Sequence, residues 1–294
     1  MSDPITFTLD GESVTAAAGQ TIWEVANGRG LIIPHLCHKP APGYRPDGNC
    51  RACMVAIDGE RTLAASCVRE PVEGMVVTTN QPREVQARRM VIEMLVADQP
   101  AQAVAHDKSS HLWDMASAQD VATSRFPAKA DHIPLLDDSH VAMSVNLDAC
   151  IQCGLCVRAC REVQVNDVIG MAGRGGTAYP VFDMDDPMGG SSCVACGECV
   201  QACPTGALLP ATVTDENQMG DTADFDREVA SVCPFCGVGC QVSLKIKDNE
   251  VKFVEGINGP ANEGRLCVKG RFGFDYIHHP HRLTKPLIRR ADAP

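Results

Sequence analysis

A chain of 294 residues with a net charge of −11, 45% apolar residues and 4% aromatics has room for two to four small domains but few rings for one large core. The acidic balance argues against nucleic acid as a partner, and no run approaches the roughly 20 apolar residues of a membrane helix. Sixteen cysteines would mean disulfides in a secreted protein. The opening Met1-Ser2-Asp3-Pro4-Ile5-Thr6 has no basic region, apolar run or twin arginine, so the expected setting is cytoplasmic, with reduced thiolates holding metal in several small domains.

Residues 1–80 read as a small α+β domain. From Ile5 apolar and polar residues alternate, turn at Asp10-Gly11 and resume through Val14, a β-hairpin pattern. Thr21-Ile22-Trp23-Glu24 has the form of a capping box, so a short helix starts at Thr21 and stops at Gly28 and Gly30. Strands follow at Met54 to Ile57 and Arg61 to Ala65 about Asp58-Gly59. Cys37, Cys50, Cys53 and Cys67, one C-x2-C pair with two distant partners, suit a [2Fe-2S] cluster held by loops at the edge of a β-grasp ferredoxin. Twelve residues separate Cys37 from Cys50, which is not the plant-type spacing. With the run Gly48-Asn49-Cys50-Arg51-Ala52-Cys53, the segment resembles the [2Fe-2S] domain of the large iron-sulfur subunit of respiratory complex I and of iron-only hydrogenases.

Residues 81–140 read as a helical connector. Pro82 to Ala97 forms a helix with Val85, Val91, Ile92, Met94 and Leu95 on an apolar side opposite Arg88 and Arg89; beyond it, short helices and loop are expected. Complex I and iron-only hydrogenases commonly carry here a [4Fe-4S] site of one histidine and three cysteines. No cysteine lies between Cys67 and Cys150, and His106 and His111 read as surface or packing residues.

Residues 141–211 hold a duplicated pattern, Cys150-x2-Cys153-x2-Cys156-x3-Cys160 and Cys193-x2-Cys196-x2-Cys199-x3-Cys203, followed by Pro204. In such a run three thiolates hold one [4Fe-4S] cube and the fourth serves the other cube. The expected sets are therefore Cys150, Cys153, Cys156 with Cys203, and Cys193, Cys196, Cys199 with Cys160. Four-cysteine zinc sites, the competing chemistry, use two separated knuckles instead. Val145 to Asp148 reads as a strand and Val168 to Met171 with Tyr179 to Phe182 as a hairpin. Pro204 should stop the turn before it from continuing as helix.

Residues 212–226 form an acidic linker. Residues 227–294 carry Cys233, Cys236, Cys240 and Cys267 around a hairpin of Val242, Leu244 and Ile246, a turn at Asp248-Asn249, and Val251 to Val254. With Cys267-Val268-Lys269-Gly270, this segment resembles the opening of molybdenum or tungsten bis-pterin oxidoreductases. The resemblance implies a small β-rich [4Fe-4S] domain in which Lys269 lies between cluster and pterin. His278, His279 and His281 could form a metal site only with a further ligand. The tail from Arg282 to Ile288 resembles that family's entry into its pterin-binding body.

The order of these parts is similar to that of the catalytic subunit of cytoplasmic NAD-dependent formate dehydrogenases. That resemblance implies one [2Fe-2S] and three [4Fe-4S] clusters, a Mo- or W-bis-pterin guanine dinucleotide in the full enzyme, and flavin- and NAD-binding iron-sulfur subunits as partners. The chain itself would be an electron relay without the formate-oxidising site. An electron-transfer subunit of an NAD-linked hydrogenase or complex I-like assembly is the alternative, and a non-redox zinc scaffold is a second one from another class.

Overall fold

The computed structural model describes residues 4–127 and 136–291; connector residues 128–135 and the ends of the chain lie outside the described residues. Two compact units result, residues 1–224 and 225–294.

The first unit opens with β1 (Ile5–Leu9) and β2 (Glu12–Ala16), joined at Asp10-Gly11, where both residues take positive φ as a two-residue hairpin turn requires. The helix α1 (Ile22–Gly28) starts in a complete capping box between Thr21 and Glu24. It buries Ile22, Trp23, Val25 and Ala26 against the sheet. Strands β3 (Met54–Ile57), β4 (Ala64–Ala65) and β5 (Val76–Thr78) complete a five-stranded sheet in the order β2-β1-β5-β3-β4. Its centre is the parallel pairing of β1 with β5, Thr8 opposite Val76 and Leu9 opposite Val77. This is the β-grasp layout expected, except that the strand read from Arg61 shrinks to two residues and β5 was not anticipated.

The helix α2 spans Pro82–Ala97, as its proline and periodicity predict; Val91, Ile92 and Leu95 of the expected apolar side do pack on the core, but the inward face is rotated to take in Arg88. The buried stripe is Glu84, Arg88, Ile92 and Val96, while Val85 and Met94 are exposed. Arg88 holds the interior position with its guanidinium donating to two backbone carbonyls, Met54 O at 3.0 Å and Thr79 O at 2.6 Å. Burial pulls its pKa down, and Glu84 one turn earlier opposes that. Ile92 and Val96 pack with Leu112, Trp113 and Ala116 of α3 (His111–Ala118), and with Leu36 and Ala52 from the cysteine-bearing loops. The connector helices thus buttress the first thiol group.

Strands β6 (Leu136–Asp137), β7 (Met143–Asn146) and β10 (Leu208–Pro210) form a sheet in the order β10-β7-β6. β8 (Ile169–Ala172) and β9 (Tyr179–Phe182) make a separate hairpin. Between them run the short helices α4 (Leu155–Arg158) and α5 (Glu198–Ala202). α5 stops before Cys203, whose ψ of 118° is the extended form a residue preceding proline takes. Residues 213–222 are pinned to the connector, since Gly220 N donates to His106 O at 2.7 Å and Thr222 Oγ1 to Asp107 at 2.8 Å.

The second unit is an antiparallel sheet, β11-β12-β13 (Arg227–Val232, Gln241–Lys247, Glu250–Gly256), followed by α6 (Val268–Phe272). The β12-β13 turn is at Asp248-Asn249, both at positive φ. β11, exposed along its whole length, lacks the alternation that marked its neighbours. Among the described residues no helix is long and apolar enough to cross a membrane.

Arg88→Leu should destabilise the chain by about 2–4 kcal/mol by removing two hydrogen bonds from a buried guanidinium to backbone carbonyls, whereas Val85→Ala should stay within about 0.5 kcal/mol. Denaturant unfolding of the two variants beside the parent measures both.

Candidate iron-sulfur sites

The first thiol group is assembled by loops at one edge of the β-grasp sheet. Cys37, Cys53 and Cys67 are fully buried, and Cys53 and Cys67 belong to the domain's core with Phe7, Val55 and Val77. The Cys53 and Cys67 sulfurs lie 3.3 Å apart, and the backbone N–H of Cys50 donates to Cys37 Sγ at 3.5 Å. Hydrogen bonds from the Cys50 and Cys67 thiols hold Cys37 down to about 2 and drive the two donors up. The Cys67 thiol likewise brings Cys53 to about 7. Four desolvated sulfurs this close share protons, and all four can be thiolates together only around a cationic centre.

Around this group stand Trp23, His35, His38 and His111, with ring centroids of His35 and His38 at 4.5 and 4.8 Å from Trp23 and of His111 at 4.8 Å from His35. Burial first, then the neighbouring His111, lowers the His35 pKa to about 4; burial also lowers those of His38 and His111. His111 packs here, its Nε2 2.9 Å from His35 O, and His106 is buried with Nδ1 2.5 Å from Gln218 O. Both are packing residues.

The tandem motifs fold as two related halves. A small cavity is walled by Cys150, Cys153, Cys156 and Cys203, with Leu147, Ile151, Met171 and Leu208 beside them. Burial, then the charges of neighbouring cysteines, raises the pKa of Cys153 and Cys156; Cys203 is among those neighbours for both. Cys193 has Cys160 as its neighbour, and Asn166, just beyond Cys160, reaches Cys196 Sγ at 3.8 Å. Cys203 thus stands with the first three cysteines of the motif before it, and Cys160 is a neighbour of Cys193.

Each half depends on two left-handed residues. Gln152 and Gly154 have φ of 58° and 72°, and Ala195 and Gly197 have 55° and 68°. These bends turn backbone N–H groups toward sulfur: Gln152 N donates to Cys150 Sγ at 3.4 Å and Ala195 N to Cys193 Sγ at 3.3 Å. Val168 N adds a bond to Cys160 Sγ at 3.3 Å. Such donors stabilise thiolate charge and raise the potential of a bound cluster.

In the second unit Cys233 and Cys240 sit against Val242, Val254 and Leu266, and Cys233 N bonds Cys240 O at 2.9 Å. Cys240 is raised by burial and by Cys233, Cys236 and Cys267, which places the four together. Cys236 and Cys267 are exposed, as is Lys269 on α6. The rings of His279 and His281 meet edge to face at 5.1 Å on the surface. Among the described residues no three His, Cys, Asp or Glu side chains converge closely enough to grip a single metal ion. A set of four thiols, with a small cavity between those of Cys150, Cys153, Cys156 and Cys203, is a donor set that fits a polynuclear iron-sulfur group.

Comparison with known proteins agrees with that chemistry. Family models match at residues 2–82 (2Fe-2S iron-sulfur cluster binding domain), 149–207 (4Fe-4S dicluster domain) and 226–279 (molybdopterin oxidoreductase Fe4S4 domain). The G 2 component of the NADH-quinone oxidoreductase of Rhizobium meliloti is 35% identical over 97% of this chain and 33% of its own length. Putative formate dehydrogenase YrhE of Bacillus subtilis is 29% identical over 98% and 33%. The chain thus spans about a third of these relatives. A solved chain of the NAD+-reducing [NiFe]-hydrogenase superposes with a TM-score of 0.62 at 30% identity, covering 70% of this chain and 87% of that one. The chain belongs to the iron-sulfur part of the NADH-quinone oxidoreductase G and formate dehydrogenase-like molybdopterin oxidoreductase family.

The three matched segments are all domains of iron-sulfur-binding families. Sequence reasoning missed the residues joining the thiol groups. Glu198, buried between Cys196 and Cys199, accepts from Tyr44 Oη at 2.8 Å and pairs with Lys39 at 3.6 Å. Arg158, buried between Cys156 and Cys160, bonds the loop that carries Cys37. A charge inside a cysteine motif was the available signal.

Gly154→Ala should cost about 1–2 kcal/mol from backbone strain alone, because its new Cβ would have room, with Asp47 Oδ2 nearest at 3.9 Å. Ala195→Gly should be neutral or stabilising. Thermal unfolding midpoints of the holoprotein separate the two.

Proposed function

We propose that this chain is the iron-sulfur relay of an NAD-dependent formate dehydrogenase. In this reading residues 1–80 hold a [2Fe-2S] cluster on Cys37, Cys50, Cys53 and Cys67. Residues 141–211 hold two [4Fe-4S] clusters, on Cys150, Cys153, Cys156 and Cys203, and on Cys193, Cys196, Cys199 and Cys160. Residues 227–294 hold a third on Cys233, Cys236, Cys240 and Cys267. The molybdenum or tungsten bis-pterin body and the flavin- and NAD-binding subunits would lie outside these residues. The observation that carries the reading is the match to a molybdopterin oxidoreductase Fe4S4 domain directly after a dicluster domain.

The clusters, when bound, supply one-electron redox chemistry. The chain's residues exclude water from the first thiol group, donate N–H bonds to sulfur in the tandem halves, and hold the loops at fixed separation. Lys269, two residues after Cys267, offers an ammonium where the pterin would approach. The 30% identity to a chain of an NAD+-reducing hydrogenase favours a second reading, an NAD-linked hydrogenase or complex I-like assembly.

Metal analysis of the holoprotein should give about fourteen irons and as many acid-labile sulfides; about four zincs would end the reading. In the full-length enzyme formate should reduce the clusters seen by electron paramagnetic resonance, and Lys269→Ala should slow that reduction by about tenfold with iron unchanged. Reduction by hydrogen or NADH but never by formate would move the assignment to the second reading.

A further inference from the structure

Twelve residues between Cys37 and Cys50 are more than two ligands of one cluster need, and here they reach the next thiol group. Arg158, on α4 and 3% exposed, holds that loop. Its Nη2 donates to Cys37 O at 2.7 Å and to Cys153 O at 3.3 Å, and its Nη1 to Arg45 O at 2.8 Å. Nη1 also pairs with Asp47 at 3.0 Å. Asn49 Nδ2 adds a bond to Cys153 O at 3.3 Å. The Nε of Arg158 is buried with no acceptor among the described residues. One guanidinium therefore touches the backbone of a cysteine in each of two adjacent thiol groups, and Cys37 lies within electrostatic reach of Cys153.

We infer that Arg158 is a positioning residue for electron transfer between the [2Fe-2S] site and the Cys150–Cys203 site, fixing their separation and raising both potentials with one buried charge. The inference rests on the cluster assignment proposed above. Reduction adds one negative charge to a cluster, so a fixed positive charge nearby favours the reduced form of both. The guanidinium does not deprotonate in proteins, so one electron moves, one cluster is oxidised and the other reduced, and no proton is exchanged at Arg158. Asp47 offsets part of the charge. Glu198 with Tyr44 and Lys39 holds the same loop independently, so loss of Arg158 need not undock it.

The test is a dithionite titration of the holoprotein followed by electron paramagnetic resonance, after an iron count. A parent protein without [2Fe-2S] and [4Fe-4S] signals would refute the cluster assignment itself, before any variant is read. Given those signals, Arg158→Gln should lower the midpoint of the [2Fe-2S] cluster and of the [4Fe-4S] cluster magnetically coupled to it. The expected size is at least tenfold in the oxidised-to-reduced ratio at fixed potential, about 59 mV for a one-electron couple. Arg158→Lys should keep both near the parent values, and Asp47→Asn, with Arg158 intact, should raise both. Unchanged midpoints in Arg158→Gln with full iron would overturn the inference, as would an equal fall in Arg158→Lys. Should Arg158→Gln not assemble its clusters, Asp47→Asn decides: an upward shift of both supports the inference, and none overturns it.

Discussion

Thiolates repel one another, and this chain gathers sixteen cysteines into a few crowded groups. Burial and mutual charge push Cys153, Cys156, Cys193 and Cys240 upward in pKa, and in the first group a low value at Cys37 is sustained chiefly by protons kept on Cys50 and Cys67, with backbone N–H groups of Asn49 and Cys50 adding to it. A positive centre removes the conflict at every site. The same sulfurs form part of the cores: Cys53 and Cys67 pack with the sheet of the β-grasp domain, and Cys233 with Val242 and Leu266 in the second unit. Folding and metal acquisition are coupled in such an arrangement, which is how a chain with 4% aromatic residues sustains several small cores.

Polar links between the β-grasp loop and the tandem motifs convert adjacent modules of the first unit into one body. Arg158 and Glu198 come from the short helices of the two halves, Arg158 midway between Cys156 and Cys160 and Glu198 next to Cys199, and both grip residues 37–49. Buried charges of this kind are expensive unless every partner is supplied, so their geometry is selective for one docking arrangement. No cysteine lies between Cys67 and Cys150, and the backbones of Cys37 and Cys153 meet at Arg158 directly.

Much of this was readable in advance because metal spacing and turn chemistry are local. The hairpin at Asp10-Gly11, the capping box at Thr21, the span Pro82–Ala97 and the turn at Asp248-Asn249 all depend on neighbours within about four residues. The inward face of α2 was read correctly at Val91, Ile92 and Leu95 but not at Val85 and Arg88, because hydrophobicity ranks Val85 first, whereas the carbonyls that Arg88 serves lie 9 and 34 residues away. β5 and β11 escaped notice for a similar reason: one is three residues long and secured by long-range pairing, and the other has no buried face to impose alternation. The cysteine spacing of the tandem motifs was legible, while Arg158, whose partners lie 113 and 121 residues away, was not.

The exposure of the sulfurs is graded along the chain. Cys37, Cys53 and Cys67 are sealed, the tandem group is partly covered, and Cys236 and Cys267 open to solvent. Oxidative attack on sulfur follows access, so air would dismantle this chain from its last group toward its first, leaving a β-grasp centre that persists when the others have become sulfenic acids and mixed disulfides.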